Sequence, residues 1–254
     1  MDQATLTPFL HRLLKISGEI IGTYFFNRDY KVDRKADNSP VTRADKEAEA
    51  SIRKLIQDEF PHHGIVGEEF GKENEDSEYT WIIDPIDGTK AFITGVPLFT
   101  TLIGLLHKGE PILGAIHQPI TDLLCVGDNV SCRLNGKAVS CRTCNSIGEA
   151  TVLTSSATAV SRHQNGPAFD KMINRVRLFR TWGDGYGYLL VASGQADAML
   201  DPIVNPWDVL PVLPVIRGSG AATGNWQGKQ DHWKSCVAAT PGIFDELIQA
   251  LNPA

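Results

Sequence analysis

The most informative part of the sequence reads Trp81-Ile82-Ile83-Asp84-Pro85-Ile86-Asp87-Gly88-Thr89. Its apolar residues predict a buried strand over residues 79–84, and Pro85 is expected to end that strand because proline fixes φ and lacks a backbone N–H. The two aspartates would then turn toward the same side. Gly88 lets the backbone pass close to a bound group, and a short helix is predicted over residues 90–94. Free N–H groups at such a helix start can hold a phosphate oxygen.

Acids occupy similar positions in two other segments. Glu68 and Glu69 follow a short apolar strand, and Asp208 opens a helix after Pro206-Trp207. Side chains at strand ends and helix starts are exposed and rigidly held, so these carboxylates can converge on one small volume. Converging carboxylates repel one another unless a divalent cation lies among them, and their hard oxygens suit Mg²⁺ or Mn²⁺. Metal-binding acids beside an anion-binding helix start indicate metal-assisted phosphoryl transfer.

Each acid taken alone can also be a solvated cap or turn residue, since Asp is common at both places. A second alternative is a binding protein that kept the architecture and lost the chemistry. Loss of a metal-binding acid would be the signature of such a protein. The sequence retains all of these acids, namely Glu68, Asp84, Asp87 and Asp208.

The spacing of apolar residues predicts a mixture of helices and strands. Amphipathic helices are predicted over residues 6–25 and 43–60, with Thr42 as the N-cap of the second and Asp45 in its first turn. Asn135-Gly136 predicts a tight hairpin turn, in which both residues need positive φ. The remaining predicted elements are strands over 64–66, 98–106, 112–117, 123–126, 150–154, 177–180 and 198–201, and helices over 167–175, 185–193 and 207–217.

The order of these elements predicts two halves. Strands dominate the first half, whereas strands and helices alternate in the second, which is typical of a sheet between helices. We place the boundary near residue 145, so that residues 1–145 form an α+β metal-binding half and residues 146–254 an α/β half that completes the active site. Pro214 is expected to kink or shorten the helix over 207–217.

Composition narrows the function. Hydrophobic residues make up 42% of the 254 residues and charged ones 21%, which is typical of a globular protein. The formal net charge of -6 argues against a nucleic-acid partner, because such binding depends on Lys and Arg. No apolar stretch is long enough to span a membrane and no signal peptide is evident, so we expect a cytoplasmic protein. Five cysteines favour reduced thiols, although the segment from Cys125 to Cys144 also admits a zinc site or a redox pair.

Several motifs together resemble the inositol monophosphatase family of metal-dependent phosphatases. The resemblance covers nearly the whole chain and is carried by Ser39-Pro40-Val41-Thr42-Arg43-Ala44-Asp45, Gly67-Glu68-Glu69, the stretch over residues 81–89, Asn135-Gly136 and Trp207-Asp208. It implies an αβαβα sandwich with a mostly antiparallel N-terminal sheet and a mixed C-terminal sheet, and a homodimer. It also implies two or three Mg²⁺ ions in each active site, with Mn²⁺ as a substitute.

The resemblance implies a role for each acid. The first Mg²⁺ would be held by Glu68, Asp84, the Ile86 carbonyl and the Thr89 hydroxyl, and the second by Asp84, Asp87 and Asp208. Asp45 and Thr89 would orient and deprotonate the attacking water, and Glu69 would support the first metal site. The backbone amides of Gly88 and Thr89 would bind the phosphate. The implied reaction is in-line attack of water on a small phosphate ester, without a covalent enzyme intermediate.

The segment from Arg180 to Tyr188 should line the pocket beyond the phosphate. An acid at Asp184 would attract a cationic substrate, and Asp201 lies where relatives bind the leaving group with an acid. Two acids facing the alcohol suit an ammonium or imidazolium. The sequence looks most like the histidinol-phosphatase branch, which acts in histidine biosynthesis; the resemblance is carried by Arg180-Thr181-Trp182-Gly183-Asp184, residues 201–208 and residues 40–45. Inositol or related sugar phosphates, nucleotide 3'-phosphates and fructose bisphosphate remain alternatives, and Asp184 can instead be a helix N-cap.

Overall fold

The computed structural model describes residues 3–28, 30–35 and 40–253, so Ser39 of the motif over residues 39–45 lies outside the described residues. Helices run over Gln3–Asn27 (α1), Arg43–Glu59 (α2), Thr89–Ile93 (α3), Ala157–His163 (α4), Gly166–Ile173 (α5), Asp184–Ala192 (α6), Pro206–Val209 (α7), Leu213–Gly218 (α8) and Pro241–Leu251 (α9), with a 3₁₀ turn at Ile147–Glu149. Strands run over Val32–Arg34 (β1), Pro40–Thr42 (β2), Gly64–Gly67 (β3), Gly71–Glu73 (β4), Tyr79–Asp87 (β5), Thr100–His107 (β6), Glu110–Gln118 (β7), Leu123–Gly127 (β8), Cys132–Leu134 (β9), Lys137–Ala138 (β10), Thr151–Thr154 (β11), Leu178–Arg180 (β12), Ala198–Asp201 (β13), Ala222–Gly224 (β14) and Cys236–Ala239 (β15).

The first large sheet has the strand order β10-β9-β8-β7-β6-β5-β3-β4, and its neighbours are antiparallel except β3 and β5. Helices α1 and α2 cover one face, where Leu10, Leu13 and Ile52 pack around Trp81. Thr42 is the N-cap of α2, as predicted, and its backbone N–H and its hydroxyl both donate to Asp45 Oδ2, at 2.8 and 2.6 Å. This capping fixes Asp45 at the start of the helix.

The second sheet has the order β12-β11-β13-β15-β14 and is mixed, since β11 runs parallel to β12 and β13 while β15 is antiparallel to its neighbours. Residues of α6 and α8 pack between the two sheets, and those of α5 and α9 pack on the outer face of the second. The layers therefore alternate as αβαβα. The predicted layered α/β fold, with one mostly antiparallel and one mixed sheet, is confirmed.

Three glycines lie side by side on the inner face of the first sheet, because Gly104 pairs with Gly114 and Gly114 with Gly127. We call these three positions the glycine groove. A Cβ on Gly104 would lie 2.9 Å from Pro211 Cα, and one on Gly127 would overlap the backbone of Val215. The missing side chains let the segment that joins α7 and α8, and the first turn of α8 itself, rest directly on the strands.

Two local expectations are confirmed. Asn135 and Gly136 adopt φ values of 47° and 78°, which the predicted tight turn requires. The helix expected over residues 207–217 is divided into α7 and α8, and Pro214 lies in the first turn of α8. Proline is tolerated there because the first N–H groups of a helix have no intrahelical partner.

The expected end of the strand at Pro85 is wrong. Strand β5 continues to Asp87, and its pairing with β6 shifts register between Asp84 and Asp87. Such a bulge leaves an extra residue unpaired, so the missing N–H of Pro85 costs the sheet no hydrogen bond.

The boundary near residue 145 stays a prediction. The first sheet ends at Ala138 and the second begins at Thr151, but one hydrophobic core joins Leu102 and Ile116 to Leu153 and Leu213. Among the described helices, none combines the length and apolarity that a membrane span needs.

Candidate active site

Strand β5 places two of the predicted acids. Asp84 is 2% exposed, and Asp87 is the last residue of the strand. The bulge brings the two side chains to the same region although they are three residues apart, a spacing that in a regular strand puts side chains on opposite faces. Asp87 Oδ2 accepts a hydrogen bond from the backbone N–H of Gly185 at the start of α6. The middle layer therefore fixes the orientation of Asp87.

Helix α7 supplies Asp208 from the second half of the chain. Asp208 is the third residue of this short helix, and its Oδ2 accepts the backbone N–H of Asn205 at 2.7 Å in a capping box. The segment that follows lies in the glycine groove, so the helix start approaches β5. Carboxylate oxygens of Asp84, Asp87 and Asp208 consequently lie within 4.8 Å of one another.

Burial and mutual repulsion raise the pKa of each of these acids. Burial is the main cause for Asp84, followed by the negative charges of Glu68, Asp87 and Asp208. Burial also raises the pKa of Asp87, with the charges of Asp184 and Asp208 adding to it. The pKa of Asp208 rises to about 7, again mainly through burial. In the absence of a cation, carboxylates crowded in this way bind protons instead of ionising.

Two buried carboxylate oxygens have no hydrogen-bond partner among the described residues: Asp45 Oδ1 and Asp84 Oδ1. Leaving a buried acceptor unsatisfied is costly, so such atoms usually contact a ligand, ion or water. The charge of Glu68 is among the causes of the raised pKa of both Asp84 and Asp45, which indicates that Glu68 lies near both. Unpartnered hard oxygens among mutually repelling acids fit a divalent cation such as Mg²⁺.

Glu68 and Glu69 share one cation of the protein itself. The Lys35 ammonium lies 2.7 Å from Glu68 Oε1 and 2.6 Å from Glu69 Oε1. Burial nevertheless raises the pKa of Glu69 to about 7, although the hydrogen bond from Lys35 lowers it. The structure therefore places Glu69 beside Glu68, as expected, with Lys35 between their carboxylates.

The start of α3 lies next to the aspartates. Gly88 is its N-cap with φ of 86°, a conformation that favours glycine, and Thr89 is its first residue. The Thr89 hydroxyl donates to the Ile86 carbonyl at 3.1 Å, so these two expected metal ligands are neighbours. The helix runs over Thr89–Ile93, one residue earlier than predicted.

Two of the three residues expected to contact the alcohol lie near the aspartates. A Cβ on Gly88 would be 3.0 Å from Asp184 Oδ2, so this carboxylate faces the α3 start. Burial raises the pKa of Asp184 to about 6, and the positive charge of Lys90 opposes this. Asp201 is buried and accepts a hydrogen bond from the Ser155 hydroxyl, and burial raises its pKa to about 7.

Arg180 is exposed at the end of β12 and donates to the Phe179 carbonyl at 2.7 Å, with no described contact to the acids. Its role in binding substrate stays a prediction.

The alternative assignment of Asp184 as an N-cap is wrong. Gly183 is the N-cap of α6, and no side chain caps that helix. Asp184 is instead the first helical residue and has a positive φ of 54°. This conformation is uncommon for a residue other than glycine, although Asp adopts it more readily than most.

The cysteines do not assemble as a four-thiolate site among the described residues. Cys125 and Cys132 are buried with their sulfurs 3.2 Å apart, whereas the Cys144 thiol donates to the Ser146 carbonyl at 3.3 Å. Within the described part of the chain, the group of side chains placed to hold a metal ion is the trio of aspartates. The possible zinc site between Cys125 and Cys144 is therefore not supported.

Sequence reasoning missed two residues beside the acids. Lys35 lies in a polar segment with no motif, so nothing local indicated its ion pairs with Glu68 and Glu69. Glu49 is fully buried on α2 and accepts the backbone N–H of Glu69 at 2.8 Å. The signal for Glu49 was its spacing, since it lies four residues after Asp45 on the face that also carries Ile52.

Comparison with known proteins gives a consistent result. The model of the inositol monophosphatase family matches residues 2–253. The chloroplastic bifunctional phosphatase IMPL2 of Arabidopsis thaliana is 39% identical over 92% of this chain and 68% of that protein. A histidinol-phosphatase of Chlorobaculum parvum is 35% identical over 97% of this chain and 98% of that protein. A solved inositol monophosphatase of Zymomonas mobilis superposes with a TM-score of 0.87 at 32% identity and covers 99% of both chains. The last two relatives are named for different phosphate esters.

Proposed function

The chain belongs to the inositol monophosphatase family of phosphatases, and we propose that it hydrolyses histidinol phosphate to histidinol and phosphate in histidine biosynthesis. The family is Mg²⁺-dependent, and the trio of aspartates fits that requirement. The observation that carries the choice of substrate is the Asp184 carboxylate beside Gly88, where the alcohol portion of a bound phosphate ester would begin.

We assign the metal ligands as the family resemblance implies. Glu68, Asp84, the Ile86 carbonyl and the Thr89 hydroxyl would hold one Mg²⁺, and Asp84, Asp87 and Asp208 would hold a second. The unpartnered oxygen of Asp84 and the crowding of its neighbours support this assignment. Bound there, Mg²⁺ would lower the pKa of water and neutralise charge on the phosphate. The number of ions, up to three, and replacement by Mn²⁺ are part of the proposal.

The side chains then have separate roles. Burial raises the pKa of Asp45 to about 6, and its Oδ1 has no hydrogen-bond partner among the described residues, so this oxygen is available to accept a proton from the attacking water. Thr89 helps to orient that water. The backbone amides of Gly88 and Thr89 face a phosphate oxygen, because N–H groups at a helix start have no intrahelical partner. Glu69 supports the position of Glu68.

The acids beyond the phosphate favour a cationic alcohol. Asp184 and Asp201 lie close enough to repel, since the charge of Asp184 is, after burial, among the causes of the raised pKa of Asp201. A substrate with an ammonium and an imidazolium offsets the negative charge of these acids and donates hydrogen bonds in which both partners are charged, whereas the hydroxyls of an inositol ring are neutral donors. The 35% identical histidinol-phosphatase supports the same substrate. Inositol monophosphate is the second candidate, because the Zymomonas mobilis structure carries that name.

The test is phosphate release from histidinol phosphate, inositol 1-phosphate and an uncharged aryl phosphate, with and without Mg²⁺. We expect the highest kcat/KM for histidinol phosphate. The variant Asp184→Ser should raise KM for histidinol phosphate about tenfold or more, as expected for loss of a charge-assisted contact, and change KM for the aryl ester little. Equal changes for both esters, or a higher kcat/KM for inositol 1-phosphate in the parent protein, would contradict the assignment.

The last part of the proposal concerns the oligomeric state, location and partners of the protein. We propose a homodimer in the cytoplasm that takes a small phosphate ester and binds neither nucleic acid nor membrane. Sedimentation equilibrium of the purified protein tests the dimer, and a monomer at micromolar concentration would contradict it.

A further inference from the structure

The Glu49 carboxylate is 0% exposed and has no part in the proposed chemistry. It lies on α2, one helical turn after Asp45, and faces the turn between β3 and β4. Its Oε2 accepts the backbone N–H of Glu69 at 2.8 Å, and its Oε1 accepts that of Phe70 at 3.2 Å. A carboxylate is well suited to this task, because two oxygens can accept several backbone donors at once.

Arg53 completes the arrangement around this turn. Its Nε donates to Glu49 Oε1 at 2.8 Å, its terminal nitrogen donates to the Gly71 carbonyl, and its guanidinium lies 5.9 Å from the centre of the Phe70 ring. On the other side, a Cβ on Gly67 would overlap the Glu49 carboxylate. The backbone from Gly67 to Gly71 is therefore enclosed by α2.

This enclosed turn carries Glu68. The backbone N–H of Glu68 donates to the Ile83 carbonyl of β5 at 3.2 Å, so the residue is held by the strand on one side and by Glu49 through its neighbour on the other. Both anchors hold the backbone and neither uses the Glu68 side chain, which pairs with Lys35 and lies near Asp84. Partners of this kind orient a metal-binding side chain without touching the metal.

We propose that Glu49 is a positioning residue, which holds the turn of residues 67–71 so that the Glu68 carboxylate is oriented for Mg²⁺ before the ion binds. The inference rests on the proposed role of Glu68 as a metal ligand. It differs from a merely structural role because the effect of Glu49 on Mg²⁺ must pass through Glu68.

Calorimetric titration of Mg²⁺ alone tests the inference without relying on turnover. The variant Glu49→Gln presents an NH₂ group where one backbone N–H now donates, and we expect it to weaken Mg²⁺ binding by about 10- to 100-fold. In a Glu68→Gln background, the same change should alter the remaining affinity by less than about twofold, since coupled residues are non-additive. Asp58→Asn, at an exposed position of the same helix, is the control and should bind Mg²⁺ like the parent protein.

Hydrogen exchange of the parent protein provides a second measurement that needs no variant. With EDTA present, the backbone amides of Glu69 and Phe70 should exchange at least about tenfold more slowly than in an unstructured peptide, because Glu49 already binds them. Exchange at the unstructured rate would overturn the inference, as would unchanged Mg²⁺ affinity in Glu49→Gln or an equal loss in the Glu68→Gln background. If the parent protein itself binds no Mg²⁺, the proposed function fails together with the inference.

Discussion

Replacing Asp84 with Asn should make the protein more stable without Mg²⁺ and nearly inactive with it. Asn matches Asp in shape but carries no charge. Oxygens of Asp84, Asp87 and Asp208 lie within 4.8 Å of one another. Two unit charges at about 4.8 Å repel by about 3.5 kcal/mol at an effective dielectric constant of about 20. The substitution removes Asp84 from two such pairs.

The full repulsion is not realised in the protein, because burial raises the pKa of Asp208 to about 7, so this carboxyl is partly protonated near neutral pH. We therefore expect a gain of about 2 kcal/mol at about pH 8, which is a rise in Tm of about 4–8 °C for a chain of this size. Mg²⁺ should raise the Tm of the parent protein much more than that of the variant. Loss of one preorganised group of this kind should lower kcat by about a hundredfold or more.

Differential scanning calorimetry in EDTA and in millimolar Mg²⁺, with phosphate release measured on the same samples, would record both effects. Asp170→Asn is a matched control, because Asp170 is exposed on α5. It should change neither Tm nor kcat appreciably. The reasoning would be refuted if Asp84→Asn lowered Tm in EDTA, if Mg²⁺ stabilised parent and variant equally, or if kcat were unchanged.

Three further predictions follow from single contacts. Gly88→Ala should lower the free energy of unfolding by about 1–2 kcal/mol and reduce kcat, because the φ of 86° disfavours a side chain and the new Cβ would lie 3.0 Å from Asp184 Oδ2. Unfolding in urea measures the change in stability, and an unchanged midpoint would contradict the prediction. Lys35→Met should lower Tm in EDTA, since it leaves the buried Glu69 carboxylate unpaired, and it should increase the gain in Tm on adding Mg²⁺. Equal Tm values of the parent protein and the variant in EDTA would contradict this prediction. Burial lowers the pKa of His63, and its neutral ring accepts the Trp81 indole N–H at 3.0 Å. The contribution of neutral His63 to the free energy of unfolding is therefore complete above pH 6.5 and is lost as the pH falls below that value. His63→Asn should therefore show a flatter decline in unfolding free energy between about pH 7 and pH 5.5, and identical slopes in the two proteins would contradict it.

The parts of the fold that sequence predicted best are those governed by local chemistry. Helix α2 has a Thr N-cap, an acid in its first turn and apolar residues at helical spacing, and its observed bounds differ from the predicted ones by one residue. The hairpin at Asn135 is equally local. Helix α9 carried comparable signals, since Thr240 precedes a proline at its first position, and it could have been predicted.

Features that depend on contacts between distant parts of the chain could not be predicted from single segments of the sequence. The bulge in β5 depends on pairing with β6, so proline chemistry alone suggested a strand end at Pro85. Strands β14 and β15 are short and are specified by the sheet that they join. The approach of Asp208 to Asp84 came from the family resemblance, because no local pattern relates residues so far apart in sequence.

The site residues divide in the same way. Acids at element ends were recognised as candidates because carboxylates held at such points can converge, and converging carboxylates repel one another unless a cation lies among them. Lys35 was missed, since a single lysine in a polar segment has no distinctive context. Glu49 was missed although it lies one helical turn after Asp45. Acids are rarely buried on an amphipathic helix, so only the apolar residues of α2 were assigned to its buried face.

The glycine groove has a consequence for how variation in this protein should be interpreted. None of Gly104, Gly114 and Gly127 touches the proposed ligands, yet any of them enlarged by a single methyl group would push the α7–α8 segment away from the sheet and carry Asp208 with it. In a growth selection that depends on this phosphatase, these three positions should be as intolerant as the carboxylates themselves. Without the structure, the intolerance of these glycines to substitution would be mistaken for a catalytic role, although they lie in the middle of the sheet.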